Sequence, residues 1–172
     1  MEFKIKSFDE LSTLELHDLL QLRSEIFVVE QDCVYQDIDG KDLKALHVLG
    51  YQNETMIAYA RCFGPGDYFD QASIGRILVK DAYRGDGQGD ELLINSIQAV
   101  YSHYNTKEIK LSAQTYLKQF YQKHGFEVVG QPYLEDGIPH IGMLKRGWFY
   151  RFNNFDPLKL SYPQLLICID NL

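Results

Sequence analysis

Arg84, Gly85, Gly87, Gln88 and Gly89 stand together in Tyr83-Arg-Gly-Asp-Gly-Gln-Gly-Asp-Glu91, an Arg-x-x-Gly-x-Gly loop. A strand-like run, Ile74-Gly-Arg-Ile-Leu-Val79, precedes it. Leu93, Ile97, Val100, Tyr101 and Tyr104 follow at helical spacing. Strand, glycine loop and helix together aim free backbone N–H groups, and the positive end of a helix dipole, at an anion. Glycine lets the backbone approach phosphate oxygens because no Cβ intervenes. The loop therefore predicts a diphosphate-bearing ligand. A dinucleotide fingerprint starting at Gly85 needs glycine at 90, and the chain has Asp90. A P-loop from Gly85 needs Gly-Lys-Ser/Thr from position 90, and the chain has Asp90, Glu91, Leu92. Both nucleotide readings fail.

The elements that hold this loop follow from the pattern around it. Phe3 to Phe8 alternates and predicts a strand. Ser12 and Glu15 form a capping box for a helix marked by Leu16, Leu19, Leu20 and Ile26. Residues 30 to 43 carry Glu30, Asp32, Asp37, Asp39 and Asp42 against Lys41, and read as a loop with a short helical turn. His47–Tyr51 and Met56–Phe63 read as strands around an Asn53-Glu54 turn. Helix 90–104 leads to a strand from Ile109 to Gln114. A short helix, Tyr116–Lys123, ends at Gly125. Strands at 126–131 and 138–145 complete the pattern. One mixed sheet flanked by helices, an α+β fold, is expected for residues 1–145. Residues 146–172 form an aromatic-rich extension with Trp148, Phe149, Tyr150, Phe152, Phe155 and Tyr162. Such aromatics are expected to cover the domain's own core or to bury against a second copy in a homodimer.

The 172-residue chain suits one domain, and a 45% hydrophobic share suits a packed core. A formal charge of −7 argues against nucleic acid as a partner and mildly favours a cationic or amine partner. No apolar run approaches the roughly 20 residues that span a bilayer, so no membrane role is expected. Residues 1–6 lack the apolar stretch of a signal peptide. Cys33, Cys62 and Cys168 are scattered and odd in number, which fits a reducing cytoplasm and suggests neither a metal motif nor a disulfide framework.

The glycine loop matches the pyrophosphate loop of the GNAT superfamily of N-acetyltransferases. Residues 3 to 145 resemble the ElaA-like branch of that superfamily. The resemblance is carried by Leu16-His-Asp-Leu-Leu-Gln-Leu-Arg23, Phe27-Val-Val-Glu-Gln31, Tyr35-Gln-Asp-Ile-Asp-Gly-Lys-Asp-Leu43, Gln114, Phe120-Tyr121, Gly125-Phe126 and Tyr133-Leu-Glu-Asp-Gly-Ile-Pro-His-Ile-Gly-Met143. It implies an acyl-CoA N-acyltransferase fold, acetyl-CoA as cosubstrate, and no metal. It also implies that the strand before the glycine loop and the one after its helix splay apart. The gap would admit the pantetheine arm along the backbone of Ile77, Leu78 and Val79. Two departures stand out: many relatives carry Lys or Arg where this chain has Asp86 and Asp90, and ElaA-like chains usually stop near Lys145.

Acetyl transfer to an amine needs a polarised thioester, a neutral amine and a proton for the departing thiolate. The N–H of Leu78 or Val79 is the candidate donor to the carbonyl. The resemblance places Tyr121 near the sulfur as general acid. Glu30 and His140 are candidate bases, with relay through water as the alternative. Gln114, at a strand end, is placed to touch the cofactor side, the acceptor or ordered water. Asp37 and Asp39 are the candidate carboxylates for an amine acceptor, either a small primary amine or a protein amine. His17, His103 and His124 sit in surface-like helical contexts and carry no assignment. No nucleophilic triad is present, since direct attack by an amine needs none. The competing function is a CoA- or acyl-CoA-binding regulatory module without turnover.

Overall fold

The computed structural model describes residues 1–147. The extension at 146–172, expected to seal the core or form a dimer, lies outside the described residues from Trp148 on, with all of its aromatic residues named above. Seven strands form one sheet: β1 (Glu2–Ser7), β2 (Leu46–Gln52), β3 (Thr55–Phe63), β4 (Ala72–Val79), β5 (Glu108–Gln114), β6 (Glu127–Glu135) and β7 (Ile138–Arg146). Their order is β1-β2-β3-β4-β5-β7-β6, and every pairing is antiparallel except β4 with β5. The helices are α1 (Thr13–Arg23), α2 (Gln88–Tyr104) and α3 (Lys118–Lys123). Among the described residues, no helix is long and apolar enough to cross a membrane.

Strand alternation divides the core between the two faces of the sheet. On one face, Val48, Ile57, Ala58, Ala60 and Val79 pack with Leu92, Leu93, Ala99 and Val100 of α2 and with Tyr121 and Phe126. On the other, Leu49, Met56, Tyr59 and Leu78 pack with Leu19, Leu22 and Ile26. Leu78 and Val79 thus anchor β4 to both layers.

α1 begins as its sequence predicts. Ser12 Oγ accepts the Glu15 N–H at 3.1 Å, and Glu15 accepts the Ser12 N–H at 2.8 Å. The helix then widens into a π-helical turn over Ser24–Glu30, which the apolar spacing does not reveal. Such turns re-aim side chains, and this one carries Phe27 and Glu30.

The two middle strands splay. β4 and β5 pair only at Ala72–Ile109 and Ser73–Lys110. Beyond Ser73 the strands part. The β3–β4 register shifts between Tyr59 and Arg61, and Arg76 adopts a left-handed backbone at φ 51°. A bulge of this kind bends and twists its strand, which turns β4 away from β5.

Candidate active site

The splay opens a cavity of about 790 Å³. Ile77, Leu78, Val79, Arg84, Gly85, Gly87, Gly89, Gln114, Tyr121, Glu30, His140 and Asp39 all line it. Gln88 and Asp37 do not. The sequence offers no comparable signal for Arg61, Ser112, Tyr116 or Glu135, which also form its wall.

The glycine loop sits at one end. Gly87 caps α2 with φ 87°, and Gly85 has φ 104°, so both need the freedom that glycine alone supplies cheaply. The first N–H groups of α2, at 88 to 90, have no carbonyl one turn back, while Glu91 N–H already bonds Gly87 O at 3.0 Å. Among the described residues, a Cβ on Gly87 would meet nothing within 4 Å, and one on Gly89 would touch only the Phe120 ring at 3.8 Å. The space over these amides is open, so the loop fits a diphosphate. Gln88 Oε1 accepts the Asp86 N–H at 3.2 Å. Asp90 does not leave a bare charge beside the loop. Its Oδ1 takes Lys123 Nζ and His124 Nε2, each at 2.8 Å, and the Lys123 bond holds its pKa down.

Arg84 reaches back across the loop. Its Nε donates to Val79 O at 2.8 Å, and its two terminal nitrogens grip Glu30 at 2.7 and 2.9 Å. Both Glu30 oxygens are therefore engaged, which makes it a bridge between the π-helical turn and the loop rather than an unoccupied base. On the parted edge of β4, Lys80 N–H bonds Ile57 O of β3 at 2.8 Å. Peptide groups alternate sides along a strand, so the N–H and C=O of Val79 face away from β3, into the gap. Of Leu78 and Val79, it is the Val79 N–H that faces the gap, while Leu78 pairs with Tyr59 of β3.

Tyr121 stands on the far bank. It is 6% exposed, packs edge-on against Phe120 and Phe126, and lines the cavity. Burial, with Tyr116 nearby, pushes its pKa far above the ordinary phenol, so it carries its proton at neutral pH. Gln114 Nε2 donates to Gln31 Oε1 at 3.4 Å and pairs across the sheet with His140. His140 Nδ1 lies 2.8 Å from Ile138 O. A carbonyl only accepts, so Nδ1 carries the hydrogen and Nε2 of the neutral ring is left as the basic nitrogen. β6 continues past its bulge to pair Tyr133 with His140, and the two rings stack at 6.2 Å. Ser112 Oγ bonds the Tyr133 hydroxyl at 2.5 Å and Glu135 Oε2 at 2.8 Å, which completes a polar wall.

The acidic segment differs from its expectation. Asp37 is buried: its oxygens take Arg23 Nε at 2.8 Å, Arg76 Nε at 2.7 Å and the Tyr35 hydroxyl at 2.9 Å. Asp39 grips Arg61 with both oxygens at 2.7 and 2.8 Å, and Asp42 bridges Arg23 and Arg61. Burial alone would raise the pKa of Asp37 and Asp39, but their arginine partners hold both below the usual carboxylate range. Three carboxylates meet three guanidinium groups, so the local field is close to neutral. Asp37 and Asp39 are thus not free carboxylates awaiting an amine; they order the loop that roofs the cavity. The arginines that neutralise them are remote in sequence.

Residues 18–146 match the family model of the acetyltransferase (GNAT) domain. The chain belongs to the GNAT acetyltransferase family. Within it the protein is ElaA-like. It is 44% identical to protein ElaA of Escherichia coli over 147 residues, 84% of this chain and 96% of that one. The crystal structure of Escherichia coli ElaA superposes with a TM-score of 0.78, covering 85% of this chain and all of that one. An acyl-CoA N-acyltransferase from Pseudomonas aeruginosa gives the same TM-score at 38% identity, over 84% of this GNAT chain and 99% of the other. The PaiA N-acetyltransferase of Thermoplasma acidophilum, solved with coenzyme A, shares the fold at 17% identity and a TM-score of 0.62, with 85% and 99% covered.

Proposed function

We propose that this protein transfers acetyl from acetyl-CoA to an amine by direct attack within a ternary complex. The observation that carries the reading is the parted β4 edge. It presents the Val79 N–H between an amide-rich glycine loop and the buried Tyr121, all on one cavity. The amides at 87–90 would hold the diphosphate, and the backbone of Ile77–Val79 would pair with the pantetheine amides. The bound thioester supplies the acetyl group. Val79 N–H donates to its carbonyl oxygen as charge develops there, an interaction worth roughly 3 kcal/mol in comparable sites. The amine nitrogen bonds the carbonyl carbon, and the carbon–sulfur bond breaks. Tyr121 gives its proton to the departing sulfur, and His140 Nε2, directly or through water, takes the proton that the amine loses. Scattered, unbridged Cys33 and Cys62 support a reducing cytoplasm as the setting.

The test is CoA-thiol release from acetyl-CoA across a panel of primary amines, beside calorimetric titration of CoA. Binding together with amine-dependent thiol release is the expected result. Binding without release on any acceptor identifies a CoA-binding module without turnover. No binding removes the CoA assignment.

A further inference from the structure

The buried network holds three arginines, and they differ in one respect. Arg23 spends all three nitrogens on Asp37 and Asp42, and Arg61 spends both terminal nitrogens on Asp39 and Asp42. Arg76 spends only Nε, on Asp37. Its two terminal nitrogens have no partner among the described residues, and its side chain keeps 22% exposure on the cavity wall. The guanidinium lies over the rings of both Phe27 and Tyr35, 5.7 and 5.6 Å from their centroids. Asp37 holds Nε and the two rings pack against the guanidinium, so the free fork is held in place. The bulge at Arg76 both parts β4 from β5 and sets this side chain in the opening.

A second observation marks the same region. Arg61 and Ser73 line the cavity and are each 2% exposed, yet Arg61 Nε and Ser73 Oγ have no hydrogen-bond partner among the described residues. The β3–β4 register places Arg61 opposite Gly75 and Phe63 opposite Ser73. A Cβ on Gly75 would meet nothing within 4 Å among the described residues, so the floor they form beside these donors is open. Arg76 precedes Val79 by three residues, roughly 10 Å of strand. An anion held there lies within one small molecule's length of the reacting carbonyl. The opposite wall carries His140 and Glu135, where an amine has its base and a carboxylate neighbour.

We propose that the acceptor is a small primary amine that also carries a carboxylate, and that Arg76 binds this carboxylate through its two terminal nitrogens. A planar fork of two N–H donors matches a carboxylate in bidentate fashion. This deepens the acetyl-transfer reading and rests on it for the identity of the reacting group. It replaces attraction of an amine by Asp37 and Asp39 with recognition of the far end of the acceptor.

The probes are ω-amino acids from glycine to 6-aminohexanoate, each paired with its carboxamide, and 2-aminoethylphosphonate beside β-alanine. Binding to the CoA-loaded protein is measured by calorimetry, and thiol release from acetyl-CoA is measured in parallel. At least one amino acid should bind about ten- to hundred-fold more tightly than its amide, the range of a charge-assisted hydrogen bond. Arg76→Gln should erase that ratio, and Arg76→Lys should restore it only in part. A purely structural arginine would lower the melting temperature without moving the ratio. The proposal is overturned if no amino acid binds, if acid and amide bind alike, or if Arg76→Gln keeps the preference. Tighter binding of the phosphonate than of β-alanine overturns the carboxylate assignment. Acid-selective binding with no thiol release on any acceptor leaves the Arg76 site standing and removes acetyl transfer.

Discussion

Replacing Asp37 by Asn removes one charge from the centre of the loop network. Arg23 is fully buried and, among the described residues, would keep only Asp42 as a charged partner, while Arg76 Nε and the Tyr35 hydroxyl would lose a carboxylate. Breaking a buried pair from one side costs about 3–5 kcal/mol, because the other charge stays buried. Asn retains an acceptor oxygen, so the low end, about 3 kcal/mol, is expected. With a urea slope of about 2 kcal/mol per molar, the unfolding midpoint should fall by roughly 1.5 M. The acid limb should change as well. An unfolded Asp titrates near 3.9, and Asp37 and Asp39 are held lower in the fold, by Arg23 and Arg61 respectively, against the cost of burial. Their contribution is complete above about pH 4 and is lost as pH falls through the folded values. His47 adds an earlier loss: burial lowers its pKa, so below about 6.5 the unfolded chain binds a proton that the fold resists. Asp37→Asn should flatten the steep acid part and leave the His47 part. A midpoint shift below about 0.3 M, which at that slope is well under 1 kcal/mol, would refute the network account.

Gly89→Val should leave a folded domain that no longer binds CoA, since its branches must fill the space over the α2 amides or displace Phe120; unchanged affinity by calorimetry would reject the diphosphate placement. Tyr121→Phe keeps the ring and should lower kcat about a hundred-fold with little change in acetyl-CoA affinity; turnover at the wild-type rate would make Tyr121 a packing residue. His140→Gln should lower kcat about a hundred-fold with acetyl-CoA affinity little changed, and turnover at the wild-type rate would assign proton removal to water alone.

Much of the fold is legible in the sequence because local rules agree there. The Ser12–Glu15 box, the Asn53-Glu54 turn and the glycine loop before α2 each carry a signal within a few residues, and each appears where its signal lies. The glycine-loop end of the cavity is legible for the same reason. The acidic segment from Asp37 to Asp42 is not, since its logic is long-range. Asp37, Asp39 and Asp42 look like a solvated acidic run until Arg23, Arg61 and Arg76 are brought to them from α1, β3 and β4. A trace was present in Gly75-Arg76 inside an otherwise apolar strand, where a glycine beside a charge suggests a bulge. The pairing of Tyr133 with His140 depends on a register shift that alternation alone cannot show.

The central claim is that the parted β4–β5 edge holds an acyl-CoA with its thioester between Val79 and Tyr121. A crystal structure with acetyl-CoA bound tests it most directly. The account predicts diphosphate oxygens on the amides at 87–90, the thioester carbonyl on the Val79 N–H, and the Tyr121 hydroxyl within hydrogen-bond reach of the sulfur. A diphosphate seated away from the glycine loop, or a sulfur out of reach of both Val79 and Tyr121, would contradict it.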